Sequence, residues 1–197
     1  MSRSPRLFVI SGPSGAGKGT LVSRVREGRP DLGLTVSATT RKPRPGEVPD
    51  VSYHFLSEDE FSRLVEEGAF LEWDGHFERR YGTLWSEVNA CLDEGRSVIL
   101  EIDVNGGFNF KSAMPDAVLI FIAPPSLAIL EERLRKRGSE TDEQIAKRLS
   151  RVSMEMECSS RYDEVIVNDD LESAVDELAA LIDRYETDER THAHVRD

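Results

Sequence analysis

Cysteine is scarce in this 197-residue chain, which holds only Cys91 and Cys158. Two isolated thiols build neither a disulfide framework nor a zinc site. Positive charge is also short: 25 Lys and Arg face 37 Asp and Glu, for a net charge of −12. That balance argues against a general nucleic-acid binder, because nothing offsets a long phosphate backbone. Long apolar runs are missing. The longest, residues 117–123, falls far short of the roughly 20 residues that cross a bilayer. The first six residues run straight into an apolar strand with no signal-peptide pattern, so cytoplasm is the expected location. Neither an internal repeat nor a low-complexity segment is visible. What remains, with 39% hydrophobic and 31% charged residues, is a globular chain long enough for one domain with a real core.

The stretch that organises the rest is Gly12-Pro13-Ser14-Gly15-Ala16-Gly17-Lys18-Gly19-Thr20. An apolar run, Leu7-Phe8-Val9-Ile10, precedes it and reads as a buried strand; Leu21 to Arg26 reads as a helix. Strand, glycine-rich loop and helix in that order form a phosphate cradle. Backbone N–H groups converge on one concavity, the helix N-terminus adds partial positive charge, and Lys18 adds a full one. The usual pattern puts Ser or Thr directly after the lysine as a magnesium ligand. Here that position is Gly19, and the Thr20 hydroxyl is better placed for a phosphate. The expected site is therefore a nucleoside-triphosphate loop whose Mg²⁺ is held mainly by phosphate oxygens and water.

An acidic protein that binds phosphates must concentrate its arginines locally. Residues 37–47 form one polar loop with three positive charges, stiffened by Pro43 and Pro45, so that Arg41 and Arg44 lose less freedom on clamping an anion. A solvated loop is the competing reading. Residues 53–55 read as a short strand. Ser57 to Glu60 form a capping box that opens a helix to 67, closed by Gly68. Glu72 sits among large apolar groups, and spacing alone does not decide between an outward-facing charge and a ligand-reading group. A helix is expected over 85–94, ended by Gly95.

Residues 97–103 read as a second core strand, with Glu101 and Asp103 sharing one face at period two. Carboxylates ending a buried strand are costly unless they serve a ligand or partner. Residues 117–123 read as a third core strand. Helices are expected from Ser126 to 137, and from a Thr141–Gln144 capping box to about 159. Together these two helices carry Arg133, Arg137, Arg148 and four more cations. They read either as ion-paired solvated faces or as a positive lid over a triphosphate. A last buried strand is expected over 163–168, then a helix capped by Asp169 or Asp170 and reaching about 185. Alternating strands and helices give an α/β fold, a parallel sheet flanked by helices.

With these pieces in place, the chain closely resembles guanylate kinases of the nucleoside-monophosphate kinase superfamily, which share the P-loop NTPase-type fold. The likeness runs from Leu7 to about Ile182. It rests on the loop at 12–20, Thr-Thr-Arg-Lys-Pro-Arg-Pro-Gly-Glu-Val at 39–48 and Tyr-His-Phe at 53–55. It continues with Phe-Leu-Glu-Trp at 70–73, Tyr-Gly-Thr at 81–83, Ile-Asp-Val at 102–104 and Val-Asn-Asp-Asp-Leu at 167–171.

The resemblance implies that phosphate passes from ATP to GMP, with Mg²⁺ as cofactor and dGMP as a further candidate acceptor. Ser37, Glu72 and Asp103 would read guanine, with Gly82 and Thr83 nearby. Arg41, Arg44, Tyr53 and Tyr81 would hold the GMP phosphate. Lys18 and the loop backbone would hold ATP phosphates, Asn168 would lie near the adenine, and Arg133, Arg137 and Arg148 would close as lid arginines. Catalysis would rest on Lys18, Arg41, Arg137 and Arg148. Glu101, where the family usually has Asp, is the candidate for water-mediated metal contacts. Two other departures are Arg79-Arg80 before Tyr81 and Asn105-Gly106 in place of Gln-Gly.

The implied layout is a core of 5–36, 94–125 and 160–186, a GMP-binding lobe of 37–93, a lid of 126–159 and a polar tail of 187–197. Two rivals remain: a kinase of another small molecule such as a ribose bisphosphate, and a guanylate-kinase-like interaction module without activity. The paired carboxylates Glu72 and Asp103 speak against the first, Lys18 against the second.

Overall fold

The structure, a computed structural model, describes residues 3–76, 79–136 and 142–187. From the N-terminus run β1 (Leu7–Ser11), α1 (Lys18–Gly28), β2 (Gly33–Leu34), β3 (Ala38–Thr39), β4 (His54–Phe55) and α2 (Glu58–Glu66). Then come β5 (Phe70–His76), β6 (Arg79–Leu84), α3 (Trp85–Asp93), β7 (Val98–Glu101), α4 (Val104–Ala113) and β8 (Val118–Ala123). Last are α5 (Leu127–Lys136), α6 (Asp142–Glu157), a 3₁₀ turn (Cys158–Arg161), β9 (Glu164–Val167) and α7 (Leu171–Thr187).

Five strands make one parallel sheet in the order β2-β7-β1-β8-β9. Its central strands are buried on both faces, as continuous apolar runs in parallel sheets must be. Phe8, Ile10, Ile120 and Ile122 pack with Leu21 and Val25 of α1 and Leu178 and Ile182 of α7. Leu7, Val9, Leu100 and Phe121 pack on the opposite side with Val88 and Cys91 of α3 and Phe110 of α4. Thus α3, inside the expected lobe boundary, packs its apolar side on the main sheet.

A second sheet, in the order β4-β3-β6-β5, is mixed. It carries its own small core of Ala38, Phe61 and Phe70, with the Phe61 and Phe70 rings stacked at 4.4 Å. Helix α2 closes it, and the Ser57–Glu60 capping box forms as expected. Helices α5 and α6 form a third cluster through Leu130, Leu134, Ile145 and Val152.

Three expectations need correction. The second core strand ends at Glu101, and Asp103 is instead the N-cap of α4, its Oδ1 accepting from the Gly106 N–H at 2.7 Å. Helix α4 itself was not expected. Finally, β9 is an edge strand rather than a buried one: Ile166 is buried, whereas Val165 and Val167 are 44% and 52% exposed. Asp170, not Asp169, caps the last helix, accepting from the Ser173 N–H at 2.9 Å. Arg137, the Thr141 half of the second capping box and the tail from 188 lie outside the described residues.

Candidate active site

The glycine-rich loop leaves the C-terminal end of β1 in the middle of the parallel sheet, where ligand crevices of such sheets open. Gly12 has φ of 141°, and a Cβ there would sit 2.2 Å from the Ile122 carbonyl oxygen, so no other residue fits. Gly17, at φ 90°, turns the chain into α1. The loop is braced from behind. Asn168, 5% exposed, donates from Nδ2 to the Ala16 carbonyl at 2.7 Å. Its own N–H bonds the Ala123 carbonyl at 2.8 Å, fixing the end of β9 to the end of β8.

Lys18 folds over the loop and donates to the carbonyls of Gly12 at 2.6 Å and Pro13 at 3.3 Å. Thr20 is exposed in the first turn of α1. The Glu101 carboxylate stands over Gly19, 3.4 Å from where a Cβ would be. Glu101 remains wet, yet protein crowds it, and this loss of hydration raises its carboxyl pKa against the opposing pull of Lys18.

Of the base-reading candidates, Glu72 and its neighbour Thr83 share one face of the mixed sheet. Glu72 lies opposite Thr83 and Asp74 opposite Tyr81 in the antiparallel β5–β6 pair, so each pair points the same way. Thr83 Oγ1 donates to Glu72 Oε1 at 2.8 Å. Burial, with a contribution from the Asp103 charge, raises the Glu72 carboxyl pKa. Around Gly106 the two carboxylates converge: a Cβ there would meet Glu72 Oε2 at 3.2 Å and Asp103 Oδ1 at 3.3 Å. Gly82 lets β6 pass close to β5, since a Cβ would meet the Phe70 ring at 2.7 Å. Ser11, the last residue of β1, donates from its hydroxyl to the Asp103 carbonyl at 3.2 Å, joining the phosphate loop's strand to this pair.

The cations are parked on internal partners. Arg41 is buried, makes a two-pronged bond with Glu47 at 2.8 Å for each arm, and lies over the Tyr53 ring at 5.1 Å. This pairing, with the Arg44 N–H, lowers the Glu47 carboxyl pKa to about 2. Arg44 itself is exposed, and its side chain does not line the crevice. From the helical pair above, Arg148 donates to the Ser14 hydroxyl at 2.6 Å and Arg133 to the Asn168 carbonyl at 3.1 Å. Arg135, by contrast, pairs with Glu131 and Asp142 on the surface, as the solvated-face reading expects.

A crevice of about 360 Å³ joins these parts, within the range of small-molecule sites. It is lined by Ser14 of the loop and Lys18 at the start of α1, by Glu72, Tyr81 and Gly82 of the mixed sheet with Ser37 and Tyr53 just before its strands β3 and β4, by Glu101 at the end of β7 and by Asp103 at the N-cap of α4. Asp74, Ile102 and Gly106 also line it and were not singled out from sequence. Asp74 had a readable signal, lying two residues beyond Glu72 on the same strand face. The supporting roles of Glu47 and Asn168's side chain carried none. Among the described residues no three His, Cys, Asp or Glu side chains are grouped to hold a metal. The donor set fits a divalent cation held beside Glu101 and completed by ligands the protein does not supply.

Comparison with known proteins gives one consistent answer. The sequence pattern of the family described as "Guanylate kinase" matches residues 4–185. A guanylate kinase of Caldanaerobacter subterraneus subsp. tengcongensis is 48% identical over 176 residues, covering 89% of this chain and 85% of that protein. One from Maricaulis maris is 49% identical over 177 residues, covering 89% and 81%. In three dimensions, the crystal structure of guanylate kinase from Anaplasma phagocytophilum superposes with a TM-score of 0.79 at 30% identity, covering 95% of this chain and 89% of that one.

Proposed function

This chain belongs to the guanylate kinase family, an ATP:GMP phosphotransferase that yields ADP and GDP, and we propose the following division of labour among its residues. One observation carries it: a single crevice is lined both by the phosphate-loop Lys18 and by the carboxylates Glu72 and Asp103. Guanine presents donors at N1 and the 2-amino group, which carboxylates accept, and an acceptor at O6, which the Ser37 hydroxyl meets. Adenine turns an acceptor toward Glu72 and leaves a buried charge unpaired, a mismatch worth several orders of magnitude in discrimination.

The GMP phosphate is the nucleophile. Its second pKa is about 6, so it is largely deprotonated at neutral pH and needs no protein base. An oxygen of that phosphate forms the new bond to the γ-phosphorus as the bond to the β–γ bridging oxygen breaks, in line, and ADP leaves with the electron pair. Lys18 and the loop N–H groups hold the ATP phosphates. Tyr53, Tyr81, Arg41 and Arg44 hold the acceptor phosphate, and Arg133, Arg137 and Arg148 neutralise charge as the lid closes and excludes water. Glu101 is the residue that would stand beside a bound Mg²⁺, which would supply Lewis-acid neutralisation of the phosphate oxygens. The proposed layout is the core, the lobe of 37–93 and the lid of 126–159, working as a cytoplasmic enzyme.

Phosphate transfer from Mg-ATP to GMP, dGMP, AMP, UMP and ribose bisphosphate tests this directly. Strong GDP formation with AMP and UMP near background is expected. Transfer to the sugar phosphate alone discards the guanine pocket, and no transfer at all leaves a binding module.

A further inference from the structure

Asp74 lines the crevice but has no part in the assignments above. It follows Glu72 by two residues on β5, so the two side chains leave the same face about 6.6 Å apart. Across the sheet its partner is Tyr81, whereas the partner of Glu72 is Thr83. The rung that holds Glu72 is the base-reading rung, and the next rung holds Asp74 and a phosphate-holding tyrosine. A nucleotide lying along this face puts its sugar between those two functions. The guanine edge carrying N1 and the 2-amino group borders the side on which a 2′-hydroxyl projects, as in the minor groove of RNA.

The chemistry agrees with that placement. The Gly75 N–H donates to Asp74 Oδ1 at 2.7 Å, which fixes the carboxylate's direction. A ribose hydroxyl placed between these two rungs can donate a hydrogen bond to a carboxylate; the methylene of a deoxyribose cannot. We propose that Asp74 is a specificity-determining residue that accepts a hydrogen bond from the ribose 2′-hydroxyl of GMP, making this enzyme favour the ribonucleotide over dGMP. The inference rests on the guanine orientation proposed above.

The test is kcat/KM for GMP and dGMP, at saturating Mg-ATP, in the wild-type protein, Asp74→Ala and Asp74→Asn. In the wild type GMP is favoured. Asp74→Ala lowers kcat/KM for GMP about tenfold, mainly through KM, and leaves dGMP within about twofold, so the ratio collapses toward one. Asp74→Asn, which keeps a neutral acceptor, falls between. Equal losses on both nucleotides mark Asp74 as a structural or lid-facing group and overturn the proposal, as does a wild-type ratio that the alanine leaves unchanged. Failure of the wild type to phosphorylate GMP strikes the functional reading instead. That outcome is separable, because a sound guanine pocket still rejects AMP in every variant.

Discussion

Replacing Glu72 with glutamine separates what this carboxylate does for the fold from what it does for the ligand. Glu72 is 8% exposed, and its Oε2 lies within about 6.5 Å of Asp103 Oδ1, since both flank the same point above Gly106. Burial, with a contribution from that neighbouring charge, raises its pKa, so the ionised carboxylate costs the folded protein stability. Glutamine keeps an acceptor for the Thr83 hydroxyl and turns an amide N–H toward Asp103, exchanging repulsion for attraction. The variant is therefore expected to be more stable near pH 7.5 by about 1 kcal/mol, a Tm rise of a few degrees for a domain of this size. Toward guanine the change is adverse. A charged acceptor is lost, and an amide donor meets the N1–H and 2-amino donors. At about 1.5–3 kcal/mol for a charge-assisted bond plus an unmatched donor, kcat/KM for GMP falls roughly 10²–10⁴-fold. A coupled ADP-release assay across GMP concentrations, with thermal denaturation of the same samples, reads both effects. GMP turnover within threefold of wild type refutes the base-reading role, and a lower Tm refutes the stored electrostatic cost.

The same raised pKa sets a pH dependence. The stability carried by neutral Glu72 is fully present at low pH and lost as pH rises through the folded pKa, so the glutamine variant's advantage shrinks on acidification. Over the same descent KM for GMP climbs, beginning above the range of an ordinary carboxylate, while ATP affinity measured without GMP changes less; a flat KM profile from pH 7 to 5 contradicts this. Lys18→Ala is expected to lower kcat about 10³-fold or more with an unchanged circular dichroism spectrum and Tm within a few degrees, because Lys18 lines the crevice and reaches the loop carbonyls of Gly12 and Pro13. Asn168→Ala strips the Ala16 carbonyl of a buried partner. It should cost about 1–3 kcal/mol in denaturant unfolding and raise KM for ATP more than KM for GMP.

The loop, its strand and its helix were legible because they are local: glycine spacing, one lysine and an apolar run suffice. The parallel frame followed from apolar runs that need burial on both faces. Helix α4 was not legible, because Asn105, Gly106, Gly107 and Asn109 are poor helix formers and the pattern lacks a continuous apolar stripe. Tertiary packing of Val104 and Phe110 against the sheet overrides that weakness. The same omission put Asp103 on a strand face, when its carboxylate caps the unseen helix. Edge status misled at β9, where Val165 and Val167 read as core though β9 pairs with β8 alone among the described residues. For the candidate site, the residue types were readable but their convergence was not. Pairing of β3, β5 and β6 spans more than 40 residues and depends on register, which no spacing rule fixes.

That convergence also answers how a chain with net charge −12 handles two phosphorylated nucleotides. Three of its candidate phosphate-binding cations rest on internal partners: Lys18 on Gly12 and Pro13, Arg41 on Glu47 and Tyr53, and Arg148 on Ser14. Each partner orders a long side chain before any ligand arrives, so less conformational entropy is lost when a phosphate takes over. The partners are graded. Carbonyls and a hydroxyl are weak acceptors, which a triphosphate displaces readily, whereas the two-pronged Glu47 bond stays with Arg41 and can only orient it. On this ordering the ATP side rearranges on binding and the GMP side stands nearly preformed. Under the proposed division of labour, base selection by Glu72 and Asp103 then acts before the lid arginines move, and a wrong base leaves before the phosphoryl group is committed.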